Sequence, residues 1–243
     1  MSEDKIQVSL SLVIPVYNEA NMIAPCVYRC LSVMEKDFDD FEIILVNDGS
    51  RDSSENVMRS LAAEDSRVRV LNNYLNLNVG ISLLRGFMAS HKAVVVNDSV
   101  DLPLAPEDIA VFFRRMGGAD ILVLERDCSR GYSFWRHLTS ILNRVLRQGL
   151  FPFLSAGFYD VNFAQFIRRE ILPSVLPFSR SPSFTPAEVI FRARLQGYSV
   201  KTERVMYYPR TSGCGAFGRP HDMIWSFYDT LRFRLLLWLG KIK

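Results

Sequence analysis

Two apolar runs, rich in β-branched residues and each ended by a polar turn, constrain the fold of this chain most strongly. LSLVIPVYNEA spans Leu10–Ala20, and FEIILVNDGSRDSS spans Phe41–Ser54. Strands that are buried on both faces of a parallel sheet read as continuous apolar runs, and ligands bind beyond the carboxyl ends of such strands. The polar residues after the two runs should therefore face one crevice, which predicts a site for a polar small molecule.

Strand and helix signals alternate along the rest of the chain. Further strands are predicted over 68–71, 93–97, 120–124 and 200–208. Helices are predicted over 21–36, 53–64, 80–91, from Pro106, and over 134–148, 185–196 and 224–239. This order predicts a single α/β domain over residues 1–220, with a mostly parallel central sheet flanked by helices, followed by an amphipathic C-terminal helix within 221–243.

The charge of the chain is distributed unevenly. Residues 1–125 contain 11 Lys/Arg and 19 Asp/Glu, giving −8, whereas residues 126–243 contain 18 and 7, giving +11. Such a split indicates either that the second half meets an anion or that two faces of the sheet differ in charge. The basic residues are scattered among apolar helices and match no nucleic-acid-binding module, so no nucleic acid is expected as a partner.

Three features of the sequence indicate the cellular compartment: its four cysteines, its polar N-terminus and the shortness of its apolar runs. Cys26 and Cys30 lie one helical turn apart, without a nearby residue to complete a zinc site, and reduced cysteines are expected. No signal peptide and no run of about 18 apolar residues is visible. The sequence therefore predicts a cytoplasmic protein, peripheral on the inner face of the membrane if it contacts one.

Four segments together resemble the family 2 glycosyltransferases. IPVYNEA and ILVNDGSRDSS are followed by NLNVGISLLRGFMAS (Asn76–Ser90) and VVVNDSVDLPLAPEDI (Val94–Ile109). Ser133–Arg147 resembles the branch that transfers sugars to dolichyl or polyprenyl phosphate. The resemblance implies an A-type glycosyltransferase fold, which is a single α/β domain that binds a nucleotide-sugar.

The resemblance also implies which residues contact the nucleotide. Pro15, Tyr17 and Glu19 fall where the family contacts the base and ribose, and Asp48 falls on the aspartate that accepts a hydrogen bond from the base. A carboxylate at a strand end is a good acceptor for a ring N–H. A tight turn is the competing interpretation of Asp48-Gly49-Ser50, and the preceding PVYNE motif favours the nucleotide site.

The segment expected to hold a divalent cation departs from the family pattern. The family has an Asp-x-Asp pair that holds Mg²⁺ or Mn²⁺ against the donor diphosphate, and here Ser99 stands at the first position and Asp101 at the second. Asp98 is a substitute if the loop shifts by one residue. Three interpretations stand: a cation held by Asp101 alone or with Asp98, a metal-independent transferase that uses arginines, and a catalytically impaired nucleotide-sugar-binding or scaffold protein.

Arginines and one glutamate complete the implied site. Arg126, Arg136 and Ser140 are expected to bind donor or acceptor phosphate, and Arg210 to act in catalysis. A solvated basic helix face is the competing interpretation, and is preferred for Arg144 and Arg147. Glu188 is either the general base that deprotonates an acceptor hydroxyl or part of a helix-capping box with Thr185.

The C-terminal segment Ile224–Leu239 carries two tryptophans and two arginines among large apolar residues. Such a helix either lies in a membrane interface or packs on the protein. The glycine-rich GCGAFG at Gly213–Gly218 lacks the βαβ unit that a dinucleotide site needs and is interpreted as a loop. The predicted function is transfer of a sugar, with inversion, from a nucleotide-diphosphate donor to a polyprenyl phosphate or a glycan hydroxyl.

Overall fold

A computed structural model describes residues 5–127, 134–179, 181–206 and 220–242, and side chains over 127–140, at 206 and over 220–223 are not described. The strands are β1 Leu10–Val16, β2 Phe41–Asn47, β3 Val68–Asn72, β4 Val94–Asn97, β5 Ile121–Asp127, β6 Gln165–Arg168 and β7 Val200–Met206. The helices are α1 Ala20–Asp37, α2 Ser54–Glu64, α3 Val79–Ala89, α4 Pro106–Met116, α5 Phe134–Leu150, α6 Leu172–Val175, α7 Thr185–Leu195 and α8 Pro220–Trp238.

All seven strands form one sheet in the order β3-β2-β1-β4-β6-β5-β7. Strands β1 to β4 are parallel, β6 runs antiparallel to both β4 and β5, and β7 is parallel to β5. Because β6 is antiparallel to both of its neighbours, β4 and β5 run in the same direction. Strand β7, which is parallel to β5, therefore also runs in the direction of β1 to β4. The carboxyl ends of six strands therefore lie at one edge of the sheet, and the expected mostly parallel α/β fold is confirmed.

Strands β1 and β2 are buried as their composition predicts. Every residue of β2 is buried, and only Pro15 in β1 is partly exposed. Alternate residues of each strand enter two separate apolar clusters, so that Leu12 packs on one face of the sheet and Val13 on the other. Burial on both faces explains why these strands read as unbroken apolar runs.

Strand β6 lies in a strand-like run that follows Asp160. It is only four residues long, Gln165–Arg168, and a polar residue stands at each end. Asn97 ties it to β4, because its side chain donates to Phe163 O at 3.1 Å and accepts from Gln165 N at 3.1 Å. This strand joins the parallel half of the sheet to the β5-β7 pair.

Helix α8 packs on the domain through one face. Phe233 is buried against Phe151, Phe184 and Phe191, with ring centroids 5.6, 5.7 and 6.0 Å away. Asp229 accepts a hydrogen bond from Ser181 N at 3.0 Å. The packing interpretation of this segment therefore holds for its inner face, whereas the division into a domain over 1–220 and a separate helix stays a prediction.

Candidate functional site

The segments that follow β1 and β2 are joined at the carboxyl edge of the sheet. Three backbone N–H groups at the start of α1 donate to side chains after β2: Asn18 N to Ser50 Oγ at 3.1 Å, Glu19 N to Ser54 Oγ at 3.0 Å, and Ala20 N to Asp52 Oδ2 at 3.2 Å. The N–H groups of Glu19, the N-cap, and Ala20 are ones that the helix cannot satisfy internally. The polar residues of the second motif thus cap the helix that follows the first.

Gly49 allows the turn after β2 to touch the β3–α3 loop. Its φ is +70°, and a Cβ at this position would lie 2.4 Å from Leu75 C and 2.6 Å from Asn76 N. Any larger residue would push the loop away and would strain the backbone. The close approach brings the neighbouring Asp48 under the same loop.

Asp48 is the most strongly positioned of the expected nucleotide residues. It is 4% exposed, and its Oδ1 accepts three hydrogen bonds, from Ser82 Oγ at 2.8 Å, Leu77 N at 2.9 Å and Asn73 Nδ2 at 3.1 Å. Within the described part of the chain no hydrogen bond reaches Oδ2. The three donors fix the carboxylate and leave its second oxygen as an acceptor for a ligand N–H.

The other expected nucleotide residues lie at the end of β1. Pro15 pairs with Val46 of β2, and Tyr17 and Glu19 follow the strand with exposed side chains. Asn18, between them, has a φ of +54°, and its Oδ1 accepts from Arg51 N at 2.8 Å. The structure brings these residues to the same sheet edge as Asp48.

The segment after β4 carries the two carboxylates expected to meet a cation. Asp98 follows the strand directly and is buried, and its Oδ1 accepts from Ser99 N at 2.8 Å. Asp101 Oδ1 accepts from Ser99 Oγ at 2.5 Å. The next residue, Leu102, has a φ of +49°, a conformation that costs energy in a branched residue. This strain falls within the segment that departs from the family pattern.

Both carboxylates lie near the buried cysteine pair of α1. A hydrogen bond with Cys30 raises the pKa of the Cys26 thiol, and burial and the charges of Asp98 and Asp101 raise it further. The thiol is therefore protonated at neutral pH and is not a thiolate ligand. Across the described residues no three His, Cys, Asp or Glu side chains converge as a metal cage. Two carboxylates fit a hard cation that takes its remaining ligands from phosphates and water.

Arg126, at the end of β5, is paired with a carboxylate. Its Nε lies 2.6 Å from Asp160 Oδ2 and its Nη2 3.3 Å from Oδ1, and the guanidinium carbon lies 5.5 Å from the centroid of the Phe163 ring. Of the other expected phosphate and catalytic residues, Arg210 lies outside the described residues. Arg136 and Ser140 lie in α5, in the stretch whose side chains are not described.

Glu188 is buried and fully engaged. It is 1% exposed, its Oε1 accepts from Phe178 N at 3.0 Å and from Arg192 Nε at 2.7 Å, and its Oε2 accepts from Ser179 N at 2.8 Å. The capping-box interpretation is wrong, because Thr185 is already the first helical residue and the N-cap, Phe184, has no side-chain cap. The carboxylate instead anchors the chain before α7.

Several supporting residues carried no recognisable sequence signal. Asn73 and Ser82 hold Asp48 from two different elements, and asparagines and serines in loops usually read as turn residues. The preferred interpretation of Arg147 as a solvated residue is wrong, since it is only 8% exposed. Its spacing on α5 alone did not reveal which face would turn inward.

Comparisons with known proteins show the family of this chain. The family model described as "Glycosyl transferase family 2" matches residues 11–176. An undecaprenyl-phosphate 4-deoxy-4-formamido-L-arabinose transferase of Pectobacterium atrosepticum is 33% identical over 243 residues, covering 96% of this chain and 72% of the relative. The corresponding protein of Pseudomonas fluorescens strain SBW25 is 28% identical over 183 residues, covering 73% of this chain and 52% of the relative. The chain thus spans about half the length of several relatives that it matches.

A solved structure shares the fold. Glucosyl-3-phosphoglycerate synthase of Mycobacterium tuberculosis, crystallised with Mn²⁺, UDP and glucosyl-3-phosphoglycerate, superposes with a TM-score of 0.67 at 20% identity, covering 93% of this chain and 80% of that one. The neighbour is an α/β glycosyltransferase of the expected A-type fold. The family model matches most of the domain, and one relative is 33% identical over 96% of the chain. The chain therefore belongs to glycosyl transferase family 2.

Proposed function

We propose that this protein transfers a sugar from a nucleoside-diphosphate sugar to a polyprenyl phosphate, with inversion at the sugar. The observation that carries the proposal is the carboxylate of Asp48, held through Oδ1 by three donors at the carboxyl edge of the sheet. A fixed acceptor of this kind suits the N–H of a uracil or guanine edge. Pro15, Tyr17 and Glu19 are proposed to line the base and ribose.

The lipid phosphate is favoured over a glycan hydroxyl as acceptor for two reasons. The relatives at 28% and 33% identity are named undecaprenyl-phosphate sugar transferases. A lipid phosphate also attacks through an oxygen that is already anionic, so it needs no strong general base. Glu188 suits this reaction, because its engaged carboxylate anchors the chain rather than accepting a proton.

A divalent cation, Mg²⁺ or Mn²⁺, fits the carboxylates of Asp98 and Asp101. When bound it would neutralise the diphosphate leaving group. Ser99 positions Asp101 through its hydroxyl. Arg126, Arg136, Ser140 and Arg210 are proposed to contact the phosphates, with the Arg126 guanidinium oriented by Asp160.

A location at the membrane surface is part of the proposal. No helix in the described part of the chain is long and apolar enough to cross a bilayer. The outward face of α8 exposes large apolar side chains, which include Ile224, Tyr228, Leu231, Leu235 and Trp238. Arg232 and Arg234 lie at the two borders of this face at helical spacing, and the only acid from residue 224 onward, Asp229, is buried. This pattern is typical of a helix that lies in a lipid interface.

The proposal is tested by sugar transfer in detergent micelles. The purified chain is incubated with undecaprenyl phosphate, Mn²⁺ or Mg²⁺ and a panel of UDP- and GDP-sugars, and both nucleoside diphosphate release and the glycolipid mass are measured. Release that depends on the lipid phosphate is expected with at least one donor. Silence with every donor, together with no nucleotide binding by calorimetry, would contradict the proposal.

A second function, a nucleotide-sugar-binding protein without transfer activity, is favoured by one observation. Ser99 stands where the family has an acid, and its hydroxyl donates a hydrogen bond to Asp101. Donor binding without turnover in the same assay would support it. In that case Ser99→Asp should increase Mn²⁺ affinity about tenfold or more by adding a carboxylate ligand, whereas a chain that is already active should gain much less.

A further inference from the structure

A group of arginines surrounds the Tyr159–Asp160 turn, at the carboxyl ends of β5 and β7. The guanidinium carbons of Arg144 and Arg204 each lie 5.4 Å from the centroid of the Tyr159 ring. Arg147 Nη2 lies 3.4 Å from Tyr159 O. Two arginines of α5 and one of β7 therefore converge on a single residue.

Counted over the described side chains, the positive charge of this group exceeds the negative charge around it. Glu125 and Asp160 are the nearby carboxylates: Asp160 is held by Arg126 in a two-point ion pair, and Glu125 Oε1 accepts from Tyr159 N at 2.9 Å. Within the described residues, none of Arg144, Arg147 and Arg204 forms an ion pair with a carboxylate. Among the side chains that the structure describes, which do not include that of Asp127, four guanidinium groups thus face two carboxylates.

Two buried guanidinium nitrogens of the group have no hydrogen-bond partner among the described residues. These are Nε of Arg144 and Nε of Arg147, and Arg147 is only 8% exposed. Burial lowers the pKa of the Arg147 guanidinium, and the charge of Arg144 lowers it further, while Asp160 and Glu125 partly offset this. A buried N–H donor without an acceptor is costly, and an anion would supply the acceptor.

Apolar side chains adjoin these cations on the same helix. Ile141, Leu142 and Val145 of α5 are 40%, 56% and 60% exposed, and Ile141 and Val145 lie within one turn of Arg144. Helix α5 contains three arginines and no acid. A ligand that combines a phosphate with a long apolar chain matches both features.

We propose that Arg144, Arg147 and Arg204 form a binding site for the phosphate headgroup of an anionic membrane lipid. The site is additional to the phosphate contacts proposed for Arg126, Arg136 and Ser140. Forked guanidinium groups bind phosphate oxygens in pairs, and the apolar side chains of α5 accommodate the start of the acyl chains. The inference rests on the proposed location at the membrane surface, and it does not require sugar transfer.

The test is vesicle binding in the absence of any sugar donor, so that a failed binding test and a failed transfer test are separate results. The full chain is sedimented with phosphatidylcholine vesicles that contain or lack phosphatidylglycerol. Tighter binding to the anionic vesicles is expected. Arg144→Gln/Arg204→Gln should lower the partition coefficient about tenfold or more, and Arg204→Gln alone, at an exposed side chain, about fivefold.

The matched control removes two exposed arginines elsewhere, Arg59→Gln/Arg115→Gln, whose side chains are 67% and 53% exposed. It should change binding less than about threefold. Equal losses in both pairs, or no preference for anionic vesicles, would overturn the site. A loss seen only with phosphatidylcholine vesicles that carry undecaprenyl phosphate would overturn the lipid assignment in favour of the acceptor.

Discussion

The roles of the buried carboxylates in this protein depend on their hydrogen-bond partners more than on how exposed they are. Asp48 and Glu188 are both nearly fully buried, yet they differ in what remains available to a ligand. Asp48 is held through Oδ1 alone. Glu188 uses both oxygens, one of them for two donors. The second oxygen of Asp48 therefore supports its proposed role in ligand recognition, whereas the carboxylate of Glu188 anchors the chain.

The anchoring role of Glu188 predicts a loss of stability on mutation. Glu188→Gln leaves the buried Arg192 without its counter-ion and should lower the free energy of unfolding by about 3 kcal/mol. Glu203→Gln, which breaks more exposed ion pairs on β7, should cost no more than about 0.5 kcal/mol. Urea unfolding of the three proteins measures the difference. A Glu188→Gln variant of wild-type stability that has lost all transfer activity would instead identify a general base.

Glu42, a third buried carboxylate, predicts a pH dependence of stability. Burial opposes its ionisation, but hydrogen bonds from Ser11 Oγ at 2.6 Å and His91 N at 2.7 Å, with one from Arg69, outweigh this and lower its pKa. Because the folded-state pKa lies below the ordinary glutamate value of 4.5, the stabilisation is present above that pH and is lost as the pH falls through the folded-state pKa.

Glu42→Gln should therefore destabilise the protein by about 2 kcal/mol at pH 7, and the difference from wild type should shrink below pH 4.5. Denaturant titrations at several pH values measure it. A difference that stays constant down to acid pH would show that the carboxylate charge contributes nothing.

At the scale of elements, the loops matter as much as the strands that carry them. The Gly-Ser-Arg-Asp-Ser-Ser turn satisfies the first N–H groups of α1 through Ser50, Asp52 and Ser54. The β3–α3 loop covers Gly49 and donates to Asp48. The first helix and two loops thus form one hydrogen-bonded unit around the expected base pocket.

The two faces of helix α8 have different roles, so mutations on its outer face are expected to affect membrane binding. Its inner face packs through Phe233, and its outer face exposes Leu235 and Trp238, the latter 78% exposed. Leu235→Gln/Trp238→Gln should weaken binding to anionic vesicles about tenfold or more, because apolar area no longer enters the interface. Met88→Gln on α3, at an apolar side chain 65% exposed, is the matched control and should leave binding unchanged. Equal binding by all three proteins in a sedimentation assay would argue against an interfacial helix.

At the scale of the whole molecule, the parallel half of the sheet was predictable and the rest only in part. Continuous apolar runs identify β1 and β2 because both of their faces are buried. Strand β6 escapes this reasoning because it is short, antiparallel and polar at both ends. The residues expected to contact the base follow from motifs, whereas the partners of Asp48 come from the β3–α3 loop and from α3 and become neighbours only on folding. Arg147 was misjudged because a basic helix residue usually lies in solvent.

The central claim, that Asp48 recognises the donor nucleotide, is tested most directly by calorimetric titration of UDP and GDP, with Mn²⁺, into wild type and Asp48→Asn. The asparagine keeps Oδ1 as the acceptor for Ser82, Leu77 and Asn73, and it replaces Oδ2 with an N–H₂ donor that opposes a base N–H. We expect wild type to bind one of the nucleotides, and Asp48→Asn to bind it about tenfold to a hundredfold more weakly with an unchanged unfolding midpoint. Equal affinity in the two proteins, or no binding to wild type, would contradict the account.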